Sequence, residues 1–246
     1  MKNIPVAPIL AMSIILLFSK CNPGPADQSL STEDYLKMGM PGTTELWTYA
    51  DYQQCCVALS NLKALKPKSM PRKESNKSES YFNRMIDLRN FAFLADEKLT
   101  LKQRAYRIQS YIDIQRCLVT AYTEMNFREQ YYNRELIDLY IFWISIAQHM
   151  LDLGQQINES MNEDEIEMQN RYLSIQQMYV SMVLLVIENQ LQSQFFSQSD
   201  LERLSEFIYN SVKINSEWMN DAMTESIKPH LQKVIDATSS ELIKKR

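Results

Sequence analysis

The 246-residue sequence predicts an all-α protein, an antiparallel bundle of about six or seven long helices. Three observations carry that reading. Only four glycines occur, three of them before residue 43, in a chain rich in Leu, Ile, Met, Gln, Glu and Tyr, which leaves few tight turns and many good helix formers. Apolar residues recur three and four apart over most of the chain. Helix-start signatures, a hydroxyl residue followed three positions later by an acid or glutamine, punctuate it.

In chain order, Ser31-Thr-Glu-Asp34 opens a short helix, with Ser31 as N-cap and Gly39 and Pro41 as its stop. Residues 44–66 form the next helix, on the recurrence of Leu46, Tyr49, Ala50, Cys56, Val57 and Leu59, and Pro67 ends it. Residues 67–78 are a polar, basic connection, expected as a solvated, flexible loop. Tyr81, Met85, Leu88, Ala92 and Ala95 make one helix of 79–96. Thr100 and Gln103 form a capping box ahead of a two-striped helix, which is expected to be central. A long helix from 127 to about 157 carries Tyr132, Leu136, Leu139, Trp143, Ile146, Met150 and Leu153 on a coiled-coil-like seam. Asn162 and three acids start the next helix, where the dipole favours negative charge. Ser199-Asp-Leu-Glu202 opens another, and the last, from about Asp221, contains Pro229, expected to kink or delay it. The apolar runs 139–147 and 178–187 are about half the length of a membrane span and read as buried helix centres.

The N-terminus has a different character. Lys2 precedes an apolar stretch from Ile4 to Phe18, followed by Ser19-Lys20-Cys21 and a Pro/Gly tether. This resembles a bacterial lipoprotein export signal, in which Cys21 is acylated and becomes the new N-terminus. The division is then 1–20 signal peptide, 21–43 lipidated tether and short helix, and 44–246 one helical domain. Lys20 departs from the pattern, because a small residue usually precedes the lipidated cysteine. Two alternatives stay open: secretion after cleavage behind Ala26, giving a soluble secreted or periplasmic protein, and an uncleaved anchor. The first reading locates the chain in a bacterial cell envelope, bound to a membrane through lipid.

Composition excludes several function classes. Removing Lys2 and Lys20 leaves 24 basic and 30 acidic residues, a balance that argues against nucleic acid as a partner. Four cysteines are too few for a disulfide scaffold; one bridge from Cys55 or Cys56 to Cys117 is the candidate, against buried free thiols. No cofactor is expected, and no metal site, since no histidine lies near the cysteines. Phosphate-binding, dinucleotide and nucleophile-elbow motifs are absent, as is Glu-x-x-His, with Ile146 and Ile227 three positions before the two histidines. Asp138, Ser145, His149 and Asp152 share a helical strip, but parallel side chains on one face make a poor triad.

The expected function is therefore a non-enzymatic helical module, tethered outside the cytoplasm, that binds a protein partner. One alternative is a small-molecule-binding or sensory bundle with a groove near Trp143, His149, Asp152 and Tyr179; another is an enzyme with a site near His149. A filled core with an exposed aromatic patch favours the first, an internal pocket the second.

Overall fold

The structure, a computed structural model, describes residues 30–65, 68–73, 79–129, 131–160, 166–192, 196–215, 219 and 221–237. The expected export signal with Cys21, and the expected helix start at Asn162, lie outside the described residues. The protein is all-α, a packed helical bundle. The described helices are α1 (Thr32–Lys37), α2 (Tyr49–Leu65), α3 (Glu79–Met85), α4 (Leu101–Glu129), α5 (Asn133–Ser160), α6 (Ile166–Gln192), α7 (Gln198–Asn215) and α8 (Asp221–Ala237).

Local chemistry sets the helix ends. Ser31 caps α1 in a reciprocal box with Asp34. At its other end Gly39, at φ +84°, donates to Leu36 O and Met40 donates to Tyr35 O. This is a Schellman ending, with buried Met40 and Tyr35 supplying its apolar contact. Thr100 and Gln103 make the expected box before α4. Two starts differ from the sequence expectation. α2 begins at Tyr49 rather than residue 44, because Thr48 and Asp51 form a box of their own. α7 begins at Gln198, because Ser197 rather than Ser199 accepts from Asp200 N.

The expected helix over 79–96 is broken in two. α3 stops at Met85, and a 3-10 segment, Leu88–Ala95, follows. Asp87 caps that segment through Arg89 N, and buried Asn90 holds it from three sides. Asn90 accepts from Trp47 N at 2.9 Å and donates to Tyr52 Oη and Arg84 O, both at 2.8 Å. A buried amide with this many partners outweighs the helical propensity of a short segment.

α5, rather than α4, is the centre. It packs against α4, α6 and α7, while α2 lies on α4 and α8 on α6. Its turns from Leu136 to Leu151 are buried on most sides. By composition Asn133–Glu159 is apolar enough to cross a membrane, with a mean hydropathy of 1.3, yet most of it lies inside the bundle. Gly154 is buried within α5 and does not end it.

Two carboxylates sit at the buried start of α5. Glu135 accepts from Lys73 N at 2.8 Å, with Arg72 Nε 3.7 Å away. Asp138 meets Lys73 Nζ at 2.6 Å through one oxygen and Arg203 of α7 through the other. The described part of the basic connection, 68–73, is thus packed rather than solvated. Ser69, Met70 and Pro71 are buried; Tyr132 Oη accepts from Met70 N, and Tyr122 Oη donates to Pro71 O. Arg72 stacks on Tyr131, 3.8 Å from its ring centre.

Asp138→Ala is expected to destabilise the protein by about 1–3 kcal/mol, as for other broken charged hydrogen bonds whose partners regain some water. Lys37→Ala, which removes an exposed pair with Glu33, should cost less than about 0.5 kcal/mol. Urea denaturation of both variants checks the contrast; equal losses would contradict the assignment of the Asp138 network as a structural tie.

Candidate functional site

The residues singled out by sequence are scattered. Trp143 is buried, in the wall of a recess of about 100 Å³ between α4 and α6, together with Ile112, Met178, Met182 and Leu185. Its Nε1–H meets no acceptor among the described residues. Tyr179 is buried and faces α7, its hydroxyl 2.5 Å from Ser211 Oγ, which also accepts from Gln148. His149 and Asp152 are both about half exposed, with Nδ1 and Oδ2 4.0 Å apart. The recess beside Trp143 includes none of Tyr179, His149 or Asp152. Ser145 Oγ donates to Ile141 O and Asp138 is held by its cations, so these two side chains of the strip are engaged away from His149. Glu188 is exposed.

Cys55, Cys56 and Cys117 gather where α2 crosses α4, all as free thiols. Cys56 Sγ lies 3.6 Å from Ile114 O and makes a side-chain hydrogen bond with Cys117. That bond, then burial, pushes the Cys56 thiol up; burial does the same for Cys55. Thiols held protonated are poor nucleophiles and poor metal ligands. Among the described residues no three His, Cys, Asp or Glu side chains are grouped to hold a metal ion.

A different surface stands out. The Thr48–Asp51 box sets Tyr49 in the first turn of α2, and Asn90 fixes the 3-10 segment that carries Phe93. Both lie against Tyr111 of α4. Tyr49 meets it edge-on at 5.6 Å between ring centres, Phe93 at 5.2 Å with the ring planes tilted by 30°. Tyr111 rests on Phe91 and Tyr52 below, so the three outer rings stand on a packed aromatic base. With Arg107 and Ser110 they line an open recess of about 270 Å³. Burial raises the Tyr111 phenol pKa; the Arg107 guanidinium acts to lower it, and the Asp51 carboxylate acts to raise it. Exposed Tyr106 lies one turn before Ser110 on α4, and Val57, two turns after Tyr49, is 63% exposed.

Sequence reasoning misses this surface. It assigns Leu46, Tyr49 and Val57 to the buried stripe of α2, whereas all three are exposed; the buried face is Tyr52, Cys55, Ala58, Leu59 and Leu62. Tyr131 and Tyr132 close the end of the core: Tyr132 is buried and Tyr131 lies under Arg72. The missed signal is the Thr48-x-x-Asp51 box, which sets the start of α2 and leaves Leu46 outside it. No protein-family model matches this chain, and no curated protein or solved structure matches it.

Two predictions follow from this geometry. A maleimide should label Cys117, which is partly exposed, first and Cys55 last in the folded protein at neutral pH; equal rates would contradict the packing of α2 on α4. Desolvation raises the Asp152 carboxyl pKa, opposed by His149. Its stabilising contribution is therefore present below the unfolded pKa and lost as pH rises above about 4 through the raised folded value. Asp152→Asn should flatten that part of a thermal-stability profile against pH, and an unaltered slope would refute the assignment.

Proposed function

We propose that the protein is a membrane-tethered, extracytoplasmic lipoprotein whose helical domain binds a protein partner and carries no catalytic activity. The observation that carries the interaction reading is the Tyr49–Phe93–Tyr111 recess beside Arg107, standing on a filled core. Tyr, Phe and Arg on a rigid base are the residue types that dominate binding energy at protein interfaces. The recess is smaller than the roughly 300–1,000 Å³ of most small-molecule sites, which suits one side chain of a larger partner. The tether rests on the apolar stretch Ile4–Phe18 before Cys21.

Two measurements test the two halves. Intact mass and detergent partitioning of the native chain are expected to give a mature start at Cys21 with added acyl mass, lost in Cys21→Ser. A soluble chain starting at Asp27 in both versions would overturn the tether. A photo-crosslinking residue at Tyr106 of the exported full-length chain is expected to give a discrete protein adduct. The same residue at Leu173, exposed on α6, is expected to give none. Equal labelling at the two positions would overturn the interaction face.

The recess walled by Ile112, Trp143, Met178, Met182 and Leu185 favours a second reading, a small apolar ligand between α4 and α6. Under the main reading, titrated toluene leaves the melting temperature unchanged. A saturable rise, abolished by Met182→Trp, would favour the second.

A further inference from the structure

Resting on the interaction-module reading, we propose that the occupant of this face is an acidic segment of another protein. It places one aromatic or large aliphatic side chain in the recess and a neighbouring carboxylate on Arg107.

Charge decides the partner's chemistry. The chain as a whole is acidic, with 30 Asp and Glu against 26 Lys and Arg. The first four turns of α4 reverse that balance. From Leu101 to Arg116 they carry Lys102, Arg104, Arg107 and Arg116 against the single acid Asp113. Among the described residues none of these four cations meets a carboxylate, whereas Lys37, Lys73, Arg84, Arg89, Arg203 and Lys228 all do. Lys102, Arg107 and Arg116 are exposed, and Arg104 is half-buried with Nη1 on Leu94 O. Of these four, Arg107 lines the aromatic recess itself and Arg104 lies on the same side of α4, whereas Arg116 is on the opposite side, beside Trp143. An arginine beside aromatic faces suits a carboxylate flanking an apolar anchor, because it binds the anion in a fork while the rings desolvate the neighbouring side chain.

Shape separates this occupant from an anionic membrane surface. Interfacial binding relies on apolar side chains that project into the headgroup region. Here Phe93 and Tyr111 line a concavity and Tyr111 is buried, so a flat bilayer leaves the recess unfilled while a projecting side chain fills it.

The test uses the full native chain in detergent and three fluorescent peptides: an acidic peptide with one central Phe, the same peptide with Ala in that place, and a basic peptide with the same Phe. The acidic Phe peptide is expected to bind at least about tenfold more tightly than either of the others, as expected for one buried aromatic anchor. Arg107→Glu should weaken it by about tenfold or more, rising salt should weaken it further, and Lys228→Glu, on α8, should leave it unchanged. Tyr111→Leu keeps an apolar side chain at the buried position and should reduce the preference for Phe over Ala. Absence of binding, or binding indifferent to Arg107→Glu, overturns the proposal. A protein adduct at Tyr106 that the acidic peptide fails to compete away keeps the interaction module and refutes its acidic partner. Binding to phosphatidylglycerol vesicles that Arg107→Glu abolishes, with no adduct at Tyr106, refutes both and makes the face a lipid contact.

Discussion

Two carboxylates inside the bundle determine much of its arrangement. Glu135 and Asp138 lie one turn apart at the start of the central helix and are almost wholly buried. Buried charges must be met by charge or hydrogen bonds, or the fold loses several kcal/mol. The partners come from far along the chain: Lys73 and Arg203 are each 65 residues from Asp138. One residue therefore ties the segment before α3 and the first turns of α7 to the same point on α5. The segment 68–73 is then held from below by Tyr132 and Tyr122 and from its flank by Tyr35, whose hydroxyl donates to Ser69 O. Apolar burial supplies the driving force for collapse; these directed contacts select which segment lies where.

The same logic shapes the candidate interaction face. Asn90 acts at the other end of α2 as Asp138 acts at the start of α5. It joins the backbone at Trp47, the hydroxyl of Tyr52 and the carbonyl of Arg84. Its bonds hold the 3-10 segment to α2 and to the end of α3, and Arg104 of α4 donates to Leu94 O, so that Phe93 and Tyr111 meet at a fixed angle. A recess supported in this way loses little side-chain freedom when it is filled, which is what makes a small surface effective in recognition. The deeper rings contribute rigidity and the outer ones contact area.

What the sequence discloses is local. The caps at Ser31 and Thr100, the stop at Gly39 and the apolar turns of α5 are properties of a few neighbouring residues, and composition alone yields the helical class. What it hides is created between distant segments. The facing of α2 is ambiguous because Tyr49, Tyr52, Cys56 and Val57 supply apolar side chains all round its first turns, and only packing on α4 decides that Tyr52 goes in and Tyr49 out. The packed state of 68–73 could not be read either, because a basic Ser/Pro/Lys stretch has the composition of a solvated loop, and its anionic partners belong to another helix. The aromatic recess draws on α2, the 3-10 segment and α4, so no single window of sequence contains it.

α5 also meets the length and hydropathy of a membrane-crossing helix while lying in the middle of the bundle. A segment of that kind has two apolar environments open to it whenever the chain is unfolded beside a bilayer. Carboxylates are costly in hydrocarbon and oppose partitioning there, most strongly near the helix centre. Inside the folded bundle Glu135 and Asp138 meet cations instead. The pair that positions the basic segment therefore also makes the first turns of this long apolar helix costlier to place in lipid than in the folded bundle.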